Sequence, residues 1–172
     1  MRIDSTTWLV AGGALGAAAL VFAFLPGAWP NPLPAGDLLG PAAWQPLRAA
    51  AVAVDAACQR GDLAAFAAAT TSEHRDALQQ ALDAVDRALD RRALLELARV
   101  HTLAAWFDQP VLGGRVVGNR AALVLARSGE AGGQLLAFAW DGQRLRLAAC
   151  RHLPRADAAS IERALRRELT GE

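Results

Sequence analysis

The chain contains no lysine and no tyrosine, so all 18 of its basic side chains are arginine. Cysteine is scarce too, with two in 172 residues, which excludes a disulfide-built mini-scaffold. Charge of one sign is lacking: 18 basic against 17 acidic residues leaves +1 and excludes a strongly basic nucleic-acid binder, so no nucleic-acid partner is expected. A hydrophobic content of 53% excludes a disordered chain. The single long apolar run excludes a multi-span membrane protein. Catalytic and metal signatures are missing as well. There is no HExxH, no paired-Cys motif, no HxH and no Gly-x-Ser-x-Gly elbow. Gly113-Gly114 and Gly132-Gly133 lack the strand–loop–helix context of a phosphate cradle. No metal, cofactor or catalytic residue is assigned from the sequence. The arginine bias follows a GC-rich codon usage and carries no functional meaning by itself.

What is present begins with the run Trp8–Leu25, WLVAGGALGAAALVFAFL, which holds no charge. As a helix it would extend about 27 Å, enough for a hydrocarbon core. Trp8 and Trp29 bracket it at the places where interfacial aromatics sit, and Pro26-Gly27 stops it. A cleaved signal peptide is the competing reading, with Val21-Phe22-Ala23 as its cleavage site, but the run exceeds the usual apolar region of about 7–15 residues. The sequence therefore divides into a tail, 1–6, a transmembrane helix, 7–25, a Pro/Gly-rich linker, 26–41, and a domain, 42–172. Arg2 before the span, with no further arginine until Arg48, places the N-terminus in the cytoplasm and the domain outside. Gly12 and Gly16 form a GxxxG pair at which another transmembrane helix could approach.

After the prolines the pattern is helical. Trp44, Leu47, Val54 and Cys58 mark one stripe over 42–60, and Asp62 caps a short helix over 63–69 with Phe66 inward. Thr70 and Glu73 fit a capping box that opens a helix carrying Leu78, Leu82, Val85 and Leu89. Leu94, Leu95, Leu97, Val100 and Leu103 continue the helical period to about residue 105. From Pro110 the period changes to that of strands: 111–117 interrupted at Gly113-Gly114, then 121–127, 135–140 and 144–150, with Asp141-Gly142 a tight turn. An amphipathic helix over 156–169 closes the chain, its stripe Ile161, Leu165 and Leu169. Helices first and a meander after define an α+β domain, with helices packed on a curved antiparallel sheet plus a C-terminal helix.

The helix end Arg60-Gly61-Asp62, the stretches LAAFAAAT and TSEHRDAL, and the hairpin FAWDGQRLRLA together resemble the nuclear transport factor two-like superfamily over about residues 42–150. That resemblance implies a cone-shaped α+β domain with room for a pocket between sheet and helices, on a membrane-anchored bacterial envelope protein. Its lining would come from Trp44, Phe66, His74, His101, Trp106, Phe138 and Trp140. Core filling is the ordinary role of such aromatics, and a surface position that of the histidines, His152 included. Cys58 and Cys150 could bridge a helix end and the last strand if the domain is exported. The preferred functional expectation is a single-span anchored protein whose exported domain is a non-catalytic binding or assembly module, its partners the membrane, another envelope protein or a second copy. The alternatives are a small-molecule binder or enzyme using the cone pocket, and an accessory subunit of a larger membrane complex.

Overall fold

Three aspartates and a threonine decide where four of the helices begin. In the computed structural model, which describes residues 36–37, 41–100, 102–127 and 131–171, Asp62 accepts from the Ala65 amide at 2.9 Å and Thr71 from the His74 amide at 3.3 Å. Asp90 accepts from Ala93 and Asp157 from Ser160, both at 2.8 Å. Each satisfies an amide that the first helical turn leaves without a partner. The elements are β1 (Gly36–Asp37), α1 (Pro41–Arg60), α2 (Leu63–Ala69), α3 (Ser72–Asp83), α4 (Arg91–Val100), a 3-10 helix (Leu103–Asp108), β2 (Val111–Val117), β3 (Arg120–Ala126), β4 (Gly133–Trp140), β5 (Leu145–Leu153) and α5 (Ala158–Thr170). The strands form one sheet in the order β1-β2-β3-β4-β5, every neighbour antiparallel. The architecture is α+β, helices before meander.

Several boundaries differ from the sequence pattern, each for a local reason. The cap of α3 is Thr71, one residue later than expected. Thr70 is buried, and its hydroxyl donates instead to the Phe66 carbonyl at 2.7 Å, closing α2. The helix expected to run through Leu89 ends at Asp83. Gln79 folds the chain back by accepting from the Leu89 amide at 2.8 Å, Asp86 takes a φ of 54°, and Val85 is left 62% exposed. The apolar run toward residue 105 is split between α4 and the 3-10 helix, because a side chain from α1 starts a new helical segment at Leu103. Gly113-Gly114 does not interrupt β2; a bulge at Leu112 absorbs the irregularity and the strand runs through. Gly36 and Asp37, the end of the expected linker, pair with Val116 and Arg115.

The sheet is covered on both faces. On its inner face Leu47, Val54, Phe66, Leu94 and Phe107 pack against Leu123, Leu125, Leu136, Phe138 and Leu147. On the outer face Ala122, Val124, Leu135, Ala137 and Ala149 pack against Leu165 and Leu169 of α5, with Ile161 and Ala164 beside them. The C-terminal helix thus closes its own sheet. A strand buried on both sides reads as an unbroken apolar run, which is why β3 spells Ala-Ala-Leu-Val-Leu. Arg115–Glu162 at 3.3 Å and Arg151–Glu168 at 3.0 Å rim the α5 contact.

Gly113 sits beneath α5. A Cβ there would lie 2.9 Å from the Ile161 Cγ2, a stiff β-branched methyl. Gly113→Ala is therefore expected to destabilise the fold by about 1–2 kcal/mol in urea unfolding. The double variant Gly113→Ala/Ile161→Ala should lose less than the sum of the two single losses, the sign of a shared steric contact.

Among the described residues no helix is long and apolar enough to cross a membrane. The span expected over 7–25, its Gly12/Gly16 pair and most of the linker lie outside the described residues.

Candidate functional site

Between the helices and the inner face of the sheet lies a cavity of about 340 Å³. Its walls are largely apolar, formed by Val54 of α1, Phe66 of α2, Leu78 of α3, Leu97 of α4, Leu103 and Trp106 of the 3-10 helix and Leu147 of β5. Into this lining project Asp55 and Cys58 from α1, His74 from α3, Arg127 after β3, Gln134 from β4, and Cys150 and His152 from β5. A mostly apolar hollow with a few convergent polar groups is the usual form of a small-molecule site, and its volume stands at the lower end of the range of about 300–1,000 Å³.

A one-residue bulge puts two of those groups there. Along β5 strict alternation would send Leu145, Leu147 and Ala149 inward and Cys150 and His152 outward. Leu136 pairs with Cys150 and Ala137 with Ala149, but Phe138 pairs with Leu147, so Ala148 is the extra residue. The slip reverses the parity beyond it. Cys150 and His152 then share the face of Leu147, while Ala149 joins the outer core.

Asp55 is 8% exposed and faces the cavity from mid-helix. Its two oxygens accept from the Leu103 amide at 2.9 Å and the Ala104 amide at 2.8 Å. Thr102 precedes the 3-10 helix without a capping side chain, so this carboxylate caps it from 48 residues away. No described cation pairs with Asp55. Its negative charge reaches both thiols: burial pushes Cys58 up to about 11 with Asp55 adding to the rise, and burial likewise pushes Cys150 up to about 11, with the Gln134 hydrogen bond opposing and Asp55 adding. Both are neutral thiols at neutral pH, and a thiol is a far weaker nucleophile than a thiolate.

His74 stands against Phe66, ring centroids 6.5 Å apart. Burial, then the charges of Arg75 and Arg151, lower its pKa to about 4, so the imidazole is neutral with one donor and one acceptor nitrogen. Arg75 holds the start of α3 in place by donating to the Ala67 and Thr70 carbonyls at 3.0 and 2.8 Å. No described residue bonds the His74 ring. Gln134 is more than nine-tenths buried; its Nε2 donates to the Cys150 sulfur at 3.1 Å, and its Oε1 has no partner among the described residues. Arg127 and His152 meet at 3.2 Å, Nη1 to Nδ1, beside the strand ends.

Of the aromatic and histidine positions expected to line a pocket, the structure brings Phe66, His74 and Trp106 together in this cavity. Trp44 instead packs on Phe107, centroids 5.7 Å apart, in the inner core. Phe138 is fully buried core. Trp140 lies in a separate, open depression of about 580 Å³ among Pro46, Ala49, Ala53 and Ala65, whose charged lining residues are Arg60 and Arg144. His101 lies outside the described residues. Cys58 and Cys150 are free thiols rather than a disulfide, and they face the same cavity. Among the described residues no group of three or more His, Cys, Asp or Glu is placed to hold a metal ion.

Asp55, Gln134 and Arg127 are the polar lining residues that the sequence reading did not single out, and Cys58, Cys150 and His152 enter the cavity although they were read in other roles. A signal for two of them was available: Asp55 directly follows Val54 of the apolar stripe, and Gln134 is in phase with Leu136 and Phe138 along β4. No protein-family model, no curated protein and no solved structure matches this chain.

Proposed function

We propose that residues 42–172 form a small-molecule-binding module that takes its ligand into the cavity between the helices and the inner face of the sheet. The observation that carries it is an apolar hollow of about 340 Å³ lined by a neutral His74 ring and by Gln134, with neither the ring nor the Gln134 Oε1 hydrogen-bonded to another described residue. A few polar groups converging on an apolar hollow orient a ligand, so two that no described residue bonds are suited to a ligand that bonds them. A ligand on the order of ten non-hydrogen atoms suits this volume, at about 30 Å³ each. The helices-then-meander order and the position of the cavity support the resemblance to the nuclear transport factor two-like superfamily. No residue is given a catalytic role in this reading. The charge-free run over 8–25 supports a single-span anchor, with the module held outside the membrane by the proline-rich linker.

A thermal-shift screen of compounds of that size tests the reading, run on the full chain in lipid nanodiscs and on its Leu78→Trp variant. The larger indole would occupy the cavity from α3. Binders should stabilise the parent by about 2–3 kcal/mol at a hundredfold excess over Kd and leave the variant unmoved. Absence of any binder, or equal stabilisation of both proteins, would count against the pocket as the functional site.

A further inference from the structure

The geometry points to a ligand of one chemical class: a small organic ammonium with an apolar or aromatic body, its nitrogen held by Asp55 and Gln134. This inference rests on the pocket reading above and narrows it.

Asp55 is a buried carboxylate that its described surroundings leave without a paired counter-charge. A carboxylate with 8% exposure has lost most of its hydration, and an ion taken out of water costs several kcal/mol unless it is paired and hydrogen-bonded. Here two backbone amides supply two hydrogen bonds, leaving the rest of about four acceptor positions unused and no described cation paired with the carboxylate. A neutral or anionic ligand filling the cavity would remove the remaining water and leave the charge uncompensated. A cation filling it would supply both the counter-charge and the missing donors.

Around that charge the cavity is lined by groups that suit a cation. Gln134 lines the same cavity, and with its Nε2 given to Cys150 its Oε1 is an acceptor that no described residue uses. Phe66 and Trp106 give the cavity two aromatic walls, whose faces attract a cation where they are desolvated. His74 is neutral and so does not repel one. Among the described residues the Arg127 guanidinium is the one positive group lining the cavity; it donates to His152, an exposed residue next to the end of β5, so this pair belongs to the rim. The buried charge within the cavity is negative, and the recognition element is the acceptor pair of Asp55 and Gln134.

Three probes of matched size and shape separate the possibilities: 2-phenylethylammonium, 2-phenylethanol and 3-phenylpropionate. Each is titrated calorimetrically into the full chain in zwitterionic lipid nanodiscs at pH 7, and each is also titrated into the Leu78→Trp variant. The ammonium is expected to bind about tenfold or more tightly than the alcohol, the acid most weakly, with the blocked variant binding none. Asp55→Asn should abolish the preference for the ammonium over the alcohol; should that variant fail to fold, the order of the three probes on the parent decides. If the alcohol or the acid binds the parent as well as the ammonium does, and the blocked variant rejects it, the cavity binds ligands but the ammonium assignment is overturned. If the parent binds none of the three, or the blocked variant binds the ammonium equally, both the assignment and its placement in this pocket are overturned.

Discussion

Replacing Asp55 by leucine should cost the fold about 3–4 kcal/mol, seen as a fall in unfolding midpoint of about 10 °C or more. The size follows from what the carboxylate does. It accepts from two amides at the start of the 3-10 helix, and the Leu103 amide it bonds is buried. Losing the acceptor strands both donors, at about 1–3 kcal/mol for each buried one. The leucine returns part of this by removing an ion from a dry site, which is why the full sum is not expected. Asp55→Asn keeps one acceptor oxygen and should lose roughly half as much. The effect should be local as well as global. Hydrogen exchange at Leu103 and Ala104 should accelerate more than at amides of β3 and β4, because the 3-10 helix loses the contact that starts it while the sheet keeps its ladder. If Asp55→Leu unfolds within 1 kcal/mol of the parent, the cross-chain cap is not what holds this segment.

That dependence also explains where the sequence could be read and where it could not. Local chemistry was legible. Asp62, with Gly61 before it at a φ of 61°, ends one helix and opens the next, and both residues are visible as a breaker and a cap. The Asp141-Gly142 turn is equally local: Asp141 accepts from the amides of Gln143 and Arg144 at 2.8 and 2.9 Å. The apolar stripe Ile161, Leu165 and Leu169 was legible as the buried side of α5, and the structure shows that it covers the outer face of the sheet. Features set by distant residues were not legible. The helical period continues past Val100, and only a carboxylate 48 residues earlier breaks it. The bulge at Ala148 leaves no mark in a strand of small residues, yet it decides that Cys150 and His152 enter the cavity while Ala149 leaves it. A pocket assembled from seven helical and strand segments depends on such long-range registers. Its aromatic members were only partly foreseen, because Trp44 and Phe138 have the same periodicity as true lining residues and differ only in what packs over them.

His74 should make stability depend on pH in a range where few other groups act. Its imidazole is lowered from an ordinary 6.5 to about 4, first by burial and then by Arg75 and Arg151. The folded protein therefore holds it neutral where the unfolded chain begins to bind a proton. Above pH 6.5 neither state takes up that proton and stability is at its full value. As pH falls below 6.5 the unfolded state gains protons that the folded state does not, so stability declines, and the decline levels off near pH 4 where the folded protein also protonates. At 1.36 kcal/mol per unit, the loss over this interval is about 3 kcal/mol. Glu73, Glu96, Asp141 and Asp157 also have lowered pKa values, held down chiefly by hydrogen bonds at helix starts, turns and ion pairs, but as carboxylates they act below the histidine range and equally in any His74 variant. Subtracting the unfolding free energy of His74→Leu from that of the parent at each pH isolates the histidine. The difference should fall by about 3 kcal/mol between pH 7 and pH 4. A flat difference would mean that water reaches the ring freely and that His74 is not enclosed by the cavity. The leucine carries a second consequence. It covers the position of the open ring nitrogens with an apolar group, so a ligand that bonds His74 should lose affinity for the variant even at pH 7, where the variant and the parent carry the same charge.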